Sequence, residues 1–393
     1  MTIRTSDDSK STILQVEGVD KFQVHDTGLV EAAAFKGGFF EADYFKTPGG
    51  ILTPVGAFKN KIINGDYRIS RSPGPFAIPN PGTFTVDMWR AGNSNFSNVE
   101  VQRVTDYASE IQLSQKLIVG TANTSPANNT YLYLAHPIEG YNVWDLNGNP
   151  FTLSFLVRAS KTGTYTISLQ NASITRSYVT TFTIDAANEW EHKTITVPGG
   201  IDPTGAWEWT TGTGLRVIFT LASGSNYVTS TTDSWVDGNY LAATGQVNLG
   251  DTANAYFEVT KVQLERGEKA TEFERLDIAT VSTQILRYYR EFILSAGAGR
   301  GFIRPRGGAC IYPVPLDPPM RAVPTGIVVS GSPEYFSADG WTSSGLSFGA
   351  TSASVNEAVV TLDGTTQADA MGATYLVRSV GVPLRVAFDA RLS

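Results

Sequence analysis

The chain has 393 residues, of which 41% are hydrophobic and only 17% charged, against about 25% charged in an average soluble domain. A formal charge of −7 and a pI near 5.1 argue against nucleic-acid binding through phosphate neutralisation. No apolar run reaches the ~18–20 residues of a membrane span, and the opening residues Met1 to Asp8 hold no apolar export core, so neither membrane insertion nor Sec export is expected.

Thr, Ser, Asn and Gly stand where charge is missing, which suits β-sheets with polar outer faces, and 38 Gly with 19 Pro suit many turns. The single cysteine, Cys310, excludes an intramolecular disulfide and a multi-cysteine zinc site; it reads as a small buried hydrophobe. The three histidines, His25, His136 and His192, form no metal-ligand spacing, and no hydrolase or nucleotide-binding signature opens a helix. No cofactor, no metal and no catalytic residue is expected.

Residues 1–60 carry short apolar alternations (Leu14, Val16; Phe22, Val24) between turn-prone stretches, with too few large apolar residues for a core. Such strands are best explained by pairing with another chain. From 61 to 275 the chain reads as one large antiparallel β domain. Phe151, Leu153, Phe155 and Val157 alternate with polar residues, as do Tyr165, Ile167 and Leu169, then Tyr178, Phe182 and Ile184, then Leu215, Val217, Phe219 and Leu221. Further strands are predicted at 62–69, 84–89, 99–105, 112–119, 130–135, 195–197 and 255–264. Many short strands without intervening helical patterns predict a sandwich or jelly roll.

A helical connector is predicted over 276–296. After Asp277 as N-cap, Ile278, Val281, Ile285, Tyr288 and Phe292 recur at 3-4-3-4 spacing. That seam fits a trimer-forming coiled coil or an amphipathic helix packed on the sandwich. Residues 297–393 form a second β unit, a C-terminal sandwich, with strands at 309–314, 325–330, 345–349, 357–362, 373–380 and 383–390 and an extended proline-rich loop at 313–324. The fold expected is therefore all-β: an N-terminal arm, a central jelly roll, a short helix and a β tip.

Asn64-Gly65-Asp66-Tyr67-Arg68-Ile69 opens a series of motifs. It continues at 151–158, 163–169, 176–179, 190–198, 214–219 and Trp235-Val236-Asp237-Gly238-Asn239-Tyr240, and closes with 262–267, 273–275 and Arg287-Tyr288-Tyr289-Arg290. In order and spacing these resemble the carbohydrate-binding-module-like jelly roll of bacteriophage and prophage tail-fibre and other virion structural proteins. Relatives often have Trp-Gln-Arg where Ser70-Arg71 stands and a Cys where Leu286 stands. The resemblance implies a homotrimer located on the virion and made in the host cytoplasm. Residues 1–60 would attach to tail, baseplate or capsid proteins, and the distal end would face a host cell-surface glycan.

Sugar binding needs flat aromatic faces with amide or carboxylate groups beside them. Trp207 and Trp209, in a Gly/Thr-rich loop, and Trp235, Asp237, Asn239 and Tyr240, in a second loop-like stretch, are the candidates; Trp235 and Tyr240 fit edge packing equally. Tyr335, Phe336 and Trp341, with Asp339 and Gly340 beside them, are alternative tip contacts. The arginines at 287, 290, 300, 304 and 306 suit acidic sugars or a solvated loop. Three functions stand: a receptor-binding fibre; an adaptor, collar or decoration fibre without glycan activity; and a glycan-cleaving tailspike. No carboxylate pair singles itself out for the last.

Overall fold

The computed structural model describes residues 58–71, 74–105, 111–292, 315–325, 356 and 387–392 with their side chains, and the backbone of residue 106 and of strands within 2–52 and 293–386. Alternating apolar residues give the expected result: the chain is mostly β, in several largely antiparallel sheets, with a single α-helix among the described residues.

Two sheets form the central sandwich. One has seven strands in the order Trp235–Asp237, Arg176–Ile184, Gly163–Gln170, Thr213–Ser223, Tyr131–Glu139, Arg90–Ser94 and Gly82–Phe84. The other has six, in the order Glu191–Val197, Phe151–Ala159, Tyr256–Arg266, Gln112–Val119, Val99–Asp106 and Phe76–Ala77. Strands distant in sequence lie side by side, as a jelly roll requires. Every second residue points between the sheets. Leu132 and Leu134, Leu215, Val217 and Phe219, and Leu153 and Phe155 are all buried in one core. Phe155 meets Phe219 edge-on at 5.1 Å, and Phe219 lies 6.0 Å from Phe257, which ties the two sheets together.

Two predicted strands are turns instead. Residues 62–69 form a plug because Asn64 substitutes for strand partners: its Nδ2 donates to the carbonyls of Ile69 and Asp87, and its Oδ1 accepts from the Ile69 N–H. Asn64 and Tyr67 both take left-handed φ, which no strand allows. Gly65 lies so close to the Val262 carbonyl that a β-carbon would sit 2.2 Å from its oxygen. Residues 85–89 form a turn between the strands Gly82–Phe84 and Arg90–Ser94.

The plug and strand Tyr131–Glu139 enclose His136, which is buried with its Nε2–H donating to the Ile63 carbonyl at 3.1 Å. Burial pushes its pKa down from 6.5 to about 4, although the carbonyl opposes this. As pH falls, the unfolded chain therefore takes up the proton first. Stability declines from about pH 6.5 and levels off below about pH 4, a total loss of about 3 kcal/mol. We expect the urea midpoint to drop across that window, and the portion due to His136 to vanish in His136→Gln. An identical pH slope in the variant would assign the loss to other groups.

The helix is shorter than the seam required. It spans Ile278–Leu286, capped by Asp277 through the Ala279 N–H, and Tyr289–Leu294 is a strand. Val281, Ile285 and Tyr288 are buried against Ile63, Met88 and Leu392 of the same chain, so these three do not face another protomer. Ile278 is exposed, and Phe292 lies on the strand, packed edge-on against Phe388 at 5.8 Å. Two heptad turns were too few to separate an interchain seam from an ordinary amphipathic face, and the latter is what formed.

Strand Tyr289–Leu294 pairs with Thr374–Asp389, the long strand of an eight-stranded C-terminal sheet, so this sheet begins inside the predicted connector. The predicted strands 373–380 and 383–390 are one strand. The sheet is fastened to the sandwich. Arg321 donates to the carbonyls of Thr211, Ala390 and Arg391, and the Arg391 guanidinium stacks over Phe84 and Tyr289. At the N-terminal end, Thr2–Thr5, Ser11–Val16, Val19–His25 and Val30–Glu31 pair in that order with one another. Neighbouring alternating segments satisfy each other's backbone.

Candidate functional site

The outer face of the seven-stranded sheet is divided. Over one half, the segment from Gly238 to Ala243 crosses the strands. Buried Ser168 and Gln170 donate to the Tyr240 carbonyl, Thr220 to the Leu241 carbonyl, and Thr166 accepts from the Ala243 N–H. These polar residues occupy outward strand positions because they hold a backbone there. The other half is open and forms a shallow cleft of about 120 Å³.

Its floor is Ala135, Ile218 and Leu241, with Tyr131, Tyr133 and Tyr227 packed on it. Tyr131 and Tyr133 sit two apart on one strand and so share a face; their rings stack at 5.4 Å and 26°, and Tyr227 meets Tyr131 edge-on at 5.7 Å. Gly92, opposite Tyr133 on the neighbouring strand, leaves room for the ring: a β-carbon at 92 would lie 2.0 Å from its Cζ. Gln170 and Asn239 form the amide side, with Gln170 Nε2 donating to Asn239 Oδ1 at 3.0 Å. Arg90 and Arg216 complete the rim. Burial, then the neighbouring phenols Tyr133 and Tyr227, push the Tyr131 pKa up, which keeps it a neutral donor. Burial first, and Arg90 after it, draw the Arg216 pKa down.

Of the residues singled out from sequence, only Asn239 lines this cleft. Trp207, Trp209 and Trp235 are brought together elsewhere: Trp207 lies 6.3 Å from Trp209 and edge-on to Trp235 at 5.1 Å, and Tyr178 packs on Trp235 at 5.3 Å. All three indoles are half-buried against the main core, and the N–H groups of Trp207 and Trp235 donate to the Asp202 and Gly200 carbonyls. The loop expected to expose Trp207 and Trp209 folds back instead, because indole burial outweighs loop freedom. Asp237 is exposed but paired with Arg176 at 2.8 Å, and Arg176 also binds Asp202. Tyr240 contributes its carbonyl to the crossing segment. At the tip, Phe336 pairs opposite Trp341 and Tyr335 opposite Thr342 in a strand pair; their side chains, that of Cys310 and the whole of Asp339 lie outside the described residues.

This cluster predicts a stability effect rather than a binding effect. Trp207→Ala with Trp209→Ala is expected to cost about 2–4 kcal/mol in a denaturant titration, since fully buried Trp→Ala costs 3–5 each and these are half-buried neighbours. Glycan affinity of the still-folded variant should stay within about twofold. Loss of binding without loss of stability would return the site to the tryptophan loop.

No family model matches the chain, and no curated protein matches it. Among solved structures it is similar to the enzymatically active domain of bacteriophage CBA120 tailspike protein 4, at 12% identity over 53% of this chain and a TM-score of 0.28. The chain spans 21% of that protein's length. It is also similar to a family 11 carbohydrate-binding module of Clostridium thermocellum in complex with a β-1,3-1,4-mixed-linked tetrasaccharide, at 10% identity over 48% of this chain and 97% of that one, TM-score 0.29. A C-terminal family 22 module from the same organism gives 15% identity, 49% and 91% coverage, and a TM-score of 0.26. At such identities and scores, what those proteins bind stays with them.

Proposed function

We propose that the sandwich recognises a surface glycan in the cleft of its seven-stranded sheet. The observation that carries this is the stacked Tyr131–Tyr133 pair, half-exposed beside the amides of Gln170 and Asn239. A sugar ring offers C–H groups to aromatic faces and hydroxyls to amides, and a shallow open cleft admits one stretch of a polymer. Binding rather than cleavage is favoured because glycosidases flank the scissile bond with two carboxyl groups, and no Asp or Glu lines this cleft among the described residues.

The ordered motifs from Asn64 to Arg290 support placing the protein on a virion exterior as a receptor-binding fibre, attached through residues 1–60. For the homotrimer we place the contact where Phe58, Tyr141 and Trp144 are exposed by 60%, 54% and 63% along one groove, rimmed by the Lys61–Asp145 ion pair. Phe58→Ser with Trp144→Ser should turn a trimer into a monomer in light scattering at micromolar concentration; an unchanged trimer places the contact elsewhere.

A glycan array probed with the purified chain tests the function directly. Selective binding to a set of bacterial surface glycans is the expected result. Reducing-sugar release from a bound polysaccharide would make it an enzyme, and a blank array with normal particle incorporation would favour the adaptor.

A further inference from the structure

The cleft's charge runs against that of the chain. The protein carries 37 acidic and 30 basic side chains, yet the charged groups lining the cleft, among the described residues, are Arg90 and Arg216 alone. They flank the tyrosine strand from its two sides: Arg90 pairs opposite Ala135, and Arg216 opposite Pro137. Ala135 and Pro137, both buried, leave only short side chains between the two. Two guanidinium groups on the rim of one half-enclosed space present an anion between them with two planar sets of donors.

Resting on the glycan-binding reading above, we infer that the cleft is built for an acidic sugar, whose carboxylate is received by Arg90 and Arg216 while its ring lies on Tyr131 and Tyr133. Guanidinium and carboxylate are both planar and match in paired, charge-assisted hydrogen bonds. The geometry selects a carboxylate carried on the ring itself, as in a uronic acid, over a charge on a flexible linker. The arginines rise from strands adjoining the one that carries the tyrosines, so the charge must stay beside the stacked ring. Asn239, held in place by Gln170, remains for the hydroxyls. Neutral and acidic polymers that share a backbone should therefore be separated by this cleft, despite the protein's negative charge.

The test is calorimetric titration of the full chain with glucuronate- and galacturonate-containing oligosaccharides, each beside its carboxyl-reduced counterpart. At least one acidic form should bind at least tenfold more tightly than its reduced form, and the preference should shrink as salt rises. Arg90→Gln and Arg216→Gln should each remove most of the preference; Arg90→Lys, which keeps the charge, should retain part of it. The comparison of acidic with reduced sugar uses the unmodified chain, so it stands even where a variant fails to fold. Equal affinity for both forms, lost on Tyr131→Ala, would overturn the acidic preference and leave glycan binding in place. Binding of neither form would overturn the inference, and the glycan array would then decide whether the underlying reading falls with it. A poly-glutamate peptide binding as tightly as the sugar would also overturn it, by showing a site for charge alone.

Discussion

Tyr131→Ala combined with Tyr133→Ala is expected to lower affinity for a soluble oligosaccharide about 30-fold. Each aromatic–sugar stack contributes ~1 kcal/mol by analogy with aromatic pairs, and two such stacks amount to that factor. Stability should fall little, because both rings are half-exposed on the outer face and Ala135, Ile218 and Leu241 beneath them keep their own contacts. Gly92→Val is the sharper companion. It leaves both phenols in the chain but places a β-carbon where the Tyr133 ring lies, 2.0 Å from Cζ, so the ring must tip out of the stack. Affinity should fall by about the factor that one stack contributes, roughly fivefold. A short soluble ligand matters here, since avidity in a trimer masks a weak single site on a cell or a polymer. Full affinity in the double variant, together with a loss in Trp341→Ala, would move the site to the C-terminal tip.

The strands were legible because their apolar residues alternate. Phe151 to Val157 and Leu215 to Leu221 need only the period of two, and both segments are buried strands. Residues 62–69 misled because their apolar content resembles a strand, while Asn64 bonds locally and takes a left-handed turn. The helical seam misled in another way: spacing reports a face, and nothing in a sequence says whether the face meets its own chain or another. At the cleft, aromatic loops drew attention because loops commonly carry function. The signal passed over was Tyr131 and Tyr133 themselves. They alternate with Leu132 and Leu134, so if the leucines bury, two large rings must stand on the outer face where Thr or Ser would suffice. Arg90 and Arg216 gave no such signal, since they lie more than a hundred residues apart and come together only because both their strands pair with the tyrosine strand.

The junction of the sandwich, the helix and the C-terminal sheet hangs on one buried carboxylate. Glu139 ends the tyrosine strand with 1% exposure. It accepts from Arg287 Nε at 2.9 Å, Arg287 Nη2 at 2.6 Å and the Tyr288 hydroxyl at 2.6 Å. The backbone beside it carries the load onward: the Arg287 carbonyl accepts from the Arg321 N–H and the Tyr288 carbonyl from the Ala390 N–H. The Glu139 hydrogen bonds push the Arg287 pKa up, while burial and then the Glu139 charge push the Tyr288 pKa far up, so both donors keep their protons. Breaking a buried ion pair from one side costs about 3–5 kcal/mol. Because the Arg287 side chain is 36% exposed and water can serve it, the lower end applies, and Glu139→Ala should cost about 3 kcal/mol in a denaturant titration. Glu139→Leu with Arg287→Met should recover most of the loss, because no charge is then left without a partner. The damage should also be local: hydrogen exchange should quicken in 278–286 and 387–392 while the cleft strands keep their protection, and oligosaccharide affinity should not change. A Glu139→Ala protein within about 0.5 kcal/mol of the parent would mean that the apolar cluster of Ile63, Val281, Ile285 and Leu392 holds the junction without it.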